Sequence, residues 1–215
     1  MNIFTNGLYG MLTNNGSEQN ILLLIAMIVA SVCVSYLFGS LSSAIIVSKA
    51  LYKEDIRSHG SGNAGLTNML RTYGKKAGAL TLLGDMLKTA LAILFTALLF
   101  GFEYKNGISL SGFCYLSGLC AVLGHVYPIF YGFKGGKGVL VTATMALVLT
   151  PACFAILFTL FVIILIISRY VSLGSIVVAS LFPVSVCLYT IFICKADLSP
   201  LTVISTVFLG GFIVW

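Results

Sequence analysis

Charge is what this sequence has least of. Asp, Glu, Lys and Arg make up only 8% of its 215 residues, about a third of the ~25% usual in soluble domains. So few charges cannot clothe a water-facing surface, which excludes a soluble globular domain. The six cysteines form no CxxC pair and most lie in apolar runs, so they read as small hydrophobes and not as disulfides or metal ligands. No GxxxxGK[ST] phosphate loop occurs. Residues 1–20 are polar and lack a basic start followed by a small-residue cleavage site, so they do not read as a signal peptide.

In place of charge there are apolar runs. Hydrophobic residues are 59% of the chain and the mean hydropathy is +1.08. Runs near the ~20 residues that cross a bilayer recur along the whole length. They predict an all-α integral membrane protein with seven transmembrane helices, over 21–48, 78–102, 111–130, 138–151, 152–168, 173–194 and 200–215. Residues 1–20 are a polar tail and 21–215 one multi-span membrane domain. Residues 138–168 would make a helix about 46 Å long at ~1.5 Å per residue, longer than a ~30 Å hydrocarbon core. A turn near Pro151 is therefore expected.

The net charge of +6 is no nucleic-acid signal, because the basic residues fall in a few short connections. Lys49, Lys53, Arg57, Arg71, Lys75 and Lys76 lie in the first, Lys134 and Lys137 in the third, and Arg169 in the fifth. The alternate connections hold only Lys105 and Lys195, beside Glu103 and Asp197. The positive-inside rule then places the N-terminus outside and the C-terminus in the cytoplasm. Every glycine-rich polar segment falls on the cytoplasmic side, as expected of one site built from several loops.

Two of these segments read as chemistry. Residues 57–71, RSHGSGNAGLTNMLR, carry Gly60, Gly62 and Gly65, which let backbone turn tightly and present its N–H groups to an anion. Ser61, Asn63, Thr67 and Asn68 add neutral donors, and Arg71 a planar fork suited to phosphate. An ordinary capped inter-helix loop is the bland alternative. Residues 124–138, GHVYPIFYGFKGGKG, place four glycines within residues 132–138. Gly135 and Gly136 allow close backbone approach to a ligand whose charge Lys134 or Lys137 neutralises. The same lysines could instead meet anionic lipid headgroups. His125 is a candidate general base or a hydrogen-bonded structural residue. In RYVSLGS at 169–175, Ser172 and Ser175 could cap a helix or touch substrate. Asp85 and Lys88 share a helix face at i, i+3 and read chiefly as a structural pair at membrane depth.

Together, GSGNAGLTNMLRTYGKK at 60–76, GHVYPIFYGFKGGKG at 124–138 and RYVSLGS at 169–175, with Gly39-Ser40, resemble the bacterial glycerol-3-phosphate acyltransferase family that uses acyl phosphate as donor. The resemblance implies a seven-helix enzyme of the bacterial cell membrane whose site faces the cytoplasm. It implies acyl transfer to the 1-hydroxyl of glycerol 3-phosphate, giving lysophosphatidate and phosphate. It implies no metal or other cofactor, no nucleic acid and no obligate protein partner. On this likeness Arg71, Lys137, Ser172 and Ser61 serve catalysis. Gly60, Gly62, Asn63, Gly65, Thr67, Asn68, His125, Lys134, Gly135 and Gly136 bind substrate. Leu66 replaces a usual alanine and Thr89 a usual glycine. A basic, Asn-containing segment is expected to follow the last helix and is missing after Trp215. Glycine-broken connections and buried charges also mark small transporters, and a lipid-binding scaffold is a further alternative. Polar motifs on one face and the lack of an obvious repeat favour the enzyme.

Overall fold

The structure, a computed structural model, describes residues 3–13, 20–101, 104–105, 108–109 and 111–214. Gly107, expected in an outer connection, and Trp215 lie outside them. The described residues form helices α1 Ile3–Leu12, α2 Ile21–Ser40, α3 Ser43–Tyr52, α4 Leu66–Phe100, α5 Gly112–Val126, α6 Val139–Leu149, α7 Pro151–Ser168, α8 Val171–Leu188 and α9 Pro200–Val214. Two paired two-residue strands, Tyr104–Lys105 and Ile108–Ser109, lie between α4 and α5. Among the described residues five stretches are long and apolar enough to cross a membrane: Ile21–Tyr52, Leu66–Phe100, Gly112–Tyr131, Pro151–Ser168 and Val171–Ile193. Val139–Leu149 is apolar but has 11 residues, about 16 Å at ~1.5 Å per residue, half of a ~30 Å core.

The elements differ from the sequence reading where polar residues punctuate apolar ones. The span expected at 21–48 is two helices. Leu41 and Ser42 are extended, and the Ser42 hydroxyl caps α3 by accepting the Ile45 N–H. The span expected at 78–102 begins at Leu66, so Thr67, Asn68 and Arg71 are helical. Gly74, at φ 82°, breaks α4 within, a backbone that glycine tolerates and side chains resist. The expected turn near Pro151 is present: α6 ends at Leu149 and α7 starts with Pro151 in its first turn. The polar tail read over 1–20 contains α1, whose Gly7 backbone lies against Leu99–Gly101 at the end of α4.

The helix pairs that carry the site pack through small residues, as membrane helices do. Gly39 of α2 meets the Ala121 carbonyl of α5, and Gly124 meets the backbone of Tyr36 and Ser40. Hydroxyls tie the same helices: Ser31 Oγ to Thr96 Oγ1 at 2.6 Å, Ser35 Oγ to Ser117 Oγ at 2.8 Å, and Ser117 Oγ to the Ala92 carbonyl at 3.0 Å. Tyr115, Val122, Met145, Leu149, Phe182 and Val186 are the core of the bundle. Cys33 faces outward while Cys114, Cys120, Cys153 and Cys194 are buried.

Candidate active site

The first glycine-rich loop leads from α3 into α4. Asp55 caps a single turn at Ile56–Ser58 by accepting the Arg57 N–H. The chain then passes Gly60 at φ 57° and Gly62 at φ 70°, left-handed backbone in which glycine is favoured. Asn68 fixes this path from below. Its Nδ2 donates to the carbonyls of His59 at 2.9 Å, Asn63 at 3.1 Å and Ile56 at 3.4 Å, and its Oδ1 accepts the Ser61 N–H at 3.1 Å. The amide is buried and occupied by its own loop, so it shapes the loop and has no donor to spare. Gly65 opens α4 without a side-chain cap, which leaves first-turn N–H groups and the positive helix end toward the loop. Ser61, Thr67 and Arg71 are exposed; Thr67 and Arg71 stand one turn apart on one face of α4.

The second glycine-rich loop folds back on α5. The Gly135 N–H donates to the Val126 carbonyl and the Gly136 N–H to the His125 carbonyl, both at 3.1 Å. A Cβ on Gly135 would meet that His125 carbonyl, and one on Gly136 would meet the His125 ring and the Ala64 carbonyl. Glycine is therefore required at Gly136 for the two loops to touch. They are joined a second time by Arg57, whose Nη1 donates to the carbonyls of Tyr131 at 2.7 Å and Lys134 at 3.2 Å. Asp55 grips the same guanidinium through Oδ1 to Nε at 3.0 Å and Oδ2 to Nη2 at 2.8 Å. This contact holds the Asp55 carboxyl below its ordinary pKa and the Arg57 guanidinium above its own.

Beneath the second loop lies a buried polar floor. Lys88 pairs with Asp85 at 2.9 Å and donates to the carbonyls of Gly39 at 3.0 Å and Leu41 at 2.7 Å, where α2 breaks into α3. His125 Nδ1 is 2.9 Å from the same ammonium. An ammonium has only donors, so Nδ1 accepts and the imidazole proton resides on Nε2. In this arrangement His125 is a strut between Lys88 and Gly136, with no ring nitrogen placed to take a proton. Thr89 is buried and its hydroxyl donates to the Asp85 carbonyl at 2.7 Å, which satisfies the added polar group.

Sequence-expected residues thus divide into groups. Gly60, Ser61, Gly62, Asn63, Gly65, Thr67, Asn68 and Arg71 share the first loop and the head of α4; Lys134, Gly135, Gly136 and Lys137 lie on the adjoining loop, and His125 in the last turn of α5 beneath it. Among the described residues Arg71, Lys134 and Lys137 have no acidic partner. Ser172 is exposed at the start of α8, and among the described residues no hydrogen bond ties it to either loop. Neither serine caps α8: Tyr170 occupies the cap position without a side-chain bond, and Ser175 Oγ donates back to the Val171 carbonyl. Asp55 was not expected in the site, and Arg57, which opens the first segment, was given no role there. The Asp-x-Arg spacing just ahead of the glycines was the only sequence signal for them, and their partners are backbone carbonyls that no side-chain pattern reveals.

A profile of the family described as glycerol-3-phosphate acyltransferase matches residues 29–215. The chain is 45% identical over 147 residues to a glycerol-3-phosphate acyltransferase of Clostridioides difficile, covering 67% of this chain and 69% of that one. It is 45% identical over 174 residues to one from Salinibacter ruber, covering 78% and 76%. Crystal structures of PlsY, an integral membrane glycerol 3-phosphate acyltransferase, superpose on it over 87% of this chain and 86% of theirs. The glycerol 3-phosphate form gives a TM-score of 0.71 at 32% identity, and the lysophosphatidic acid form 0.70 at 31%. With its apolar helices, the chain is a multi-pass integral membrane protein and belongs to the glycerol-3-phosphate acyltransferase family.

Proposed function

We propose that this protein transfers a fatty acyl group from acyl phosphate to the 1-hydroxyl of glycerol 3-phosphate, giving lysophosphatidate and inorganic phosphate. The observation that supports the proposal is the close approach of Gly136 to the Ala64 carbonyl, which brings the two glycine-rich loops together. Both substrates bear phosphate, and the names of the relatives supply the acceptor. Acyl phosphate is a mixed anhydride and already activated, so no enzyme nucleophile is needed. The acceptor hydroxyl adds to the acyl carbon, the carbon–oxygen bond to phosphate breaks, and phosphate leaves with its bridging oxygen. A substrate phosphate takes the hydroxyl proton.

In this reading the backbone N–H of Gly60 and the side chains of Ser61, Asn63 and Thr67 donate to phosphate, while the N–H groups of Gly62 and Gly65 close the loop on the carbonyls of His59 and Asn63, both at 3.0 Å. Arg71 and Lys137 stabilise charge on the leaving phosphate, Lys134 adds positive potential, and Ser172 contacts the acceptor. Asn68 and His125 act by holding the two loops. Catalysis rests on positioning and charge stabilisation. The chain crosses the bacterial cell membrane seven times, counting α6 and α9, with the N-terminus outside and the loops cytoplasmic. Purified protein in detergent, given both substrates, should release phosphate with no gradient present. Uptake into vesicles without phosphate release would favour a transporter instead.

A further inference from the structure

We propose that Arg57 is a positioning residue for the transfer: it sets the spacing between the two glycine-rich loops. An arginine has five N–H donors. In Arg57 one goes to each Asp55 oxygen and Nη1 reaches two carbonyls of the opposite loop, Tyr131 and Lys134. So the guanidinium is committed to protein and has little capacity for a substrate phosphate, unlike the exposed Arg71. Its two ends are both close to the ligand-facing segments. Arg57 stands three residues before Gly60, and the Lys134 carbonyl three residues before Lys137. The Ala64–Gly136 contact is a second, inner tie, and Arg57 closes the outer edge. Asp55 keeps the fork aimed, since it binds Nε and Nη2 in parallel and leaves Nη1 pointing across. A lysine cannot reproduce this, because a point charge on a flexible stem cannot hold Asp55 and two carbonyls in one plane.

The inference rests on reading both loops as phosphate sites. If the loops part, each substrate phosphate loses donors from the far side, and binding weakens for both. Arg57→Gln, Arg57→Lys and Asp55→Asn should be purified in detergent and assayed for kcat, for KM of each substrate and for melting temperature. Arg57→Gln should raise KM for acyl phosphate and for glycerol 3-phosphate by about tenfold or more, the scale of coupling within one hydrogen-bonded network. Arg57→Lys should not rescue it, and Asp55→Asn should move both KM values the same way by less. Unchanged KM values with only a lower melting temperature would reduce Arg57 to a structural tie and overturn the proposal. Full recovery in Arg57→Lys would overturn it too, by showing that charge alone suffices. Should Arg57→Gln fail to fold, the other two variants decide between these outcomes. Lys137→Ala run in parallel separates the layers: if it is impaired while Arg57 variants keep normal KM, only the clamp fails. If it is unimpaired, the phosphate reading itself fails.

Discussion

His125 receives a hydrogen bond from Lys88 across 2.9 Å, and that contact fixes which imidazole nitrogen carries the proton. With Nδ1 accepting, the ring supports Gly136 and has no free basic site. Asparagine can place an oxygen near the position of Nδ1 and keep the Lys88 contact. His125→Asn should therefore retain turnover within about tenfold. Loss of a general base lowers rate by ~10²–10⁴, so a fall of that size in steady-state kcat would restore the base assignment.

Lys137 should matter far more. It is exposed at the end of the second loop and is assigned to charge that grows on the departing phosphate. Lys137→Ala should lower kcat by at least ~10²-fold, as removal of one preorganised donor does. Lys137→Arg should recover only part of it, because the fork has a different reach. Near-normal kcat in the alanine variant would reject the assignment.

Arg71 and Asn63 are assigned to one phosphate. Each alanine variant should raise KM for a phosphate-bearing substrate, and the double variant should cost less than the sum of the two, since groups in one network couple. Full additivity in a double-mutant cycle would place them at separate phosphates.

Much of this site was legible in the sequence, for a physical reason. Glycines, lone cations and hydroxyl residues have no place in an apolar chain unless backbone must turn or meet a ligand, so residues 60–71 and 134–137 stood out. What sequence could not give was direction. Asn68 looks like a substrate donor until its amide is seen bound to His59, Asn63 and Ser61. His125 looks like a base until Lys88 is found beside it. The break at Leu41–Ser42 was missed because small residues such as Gly39, Ser40, Ser42 and Ser43 also fit inside a membrane helix; what calls for it is Lys88, which takes the carbonyls of Gly39 and Leu41.

The Asp55–Arg57 pair should leave a mark in acid. The folded pKa of Asp55 lies below its ordinary 3.8, so its contribution to stability is complete above that value and is lost as pH falls through the lowered one. The parent should melt above Asp55→Asn near neutral pH, and the gap should close as the pH is taken below about 4. Melting curves in detergent check this, and a gap that widens in acid would contradict it.

The most direct test of acyl transfer follows one oxygen. Acyl phosphate carrying ¹⁸O in its bridging position is given to the purified protein with glycerol 3-phosphate, and both products are analysed by mass. Attack at the acyl carbon predicts one inorganic phosphate per lysophosphatidate, with the label in the phosphate. Label recovered in a fatty carboxylate, or phosphate released without glycerol 3-phosphate, would contradict the account.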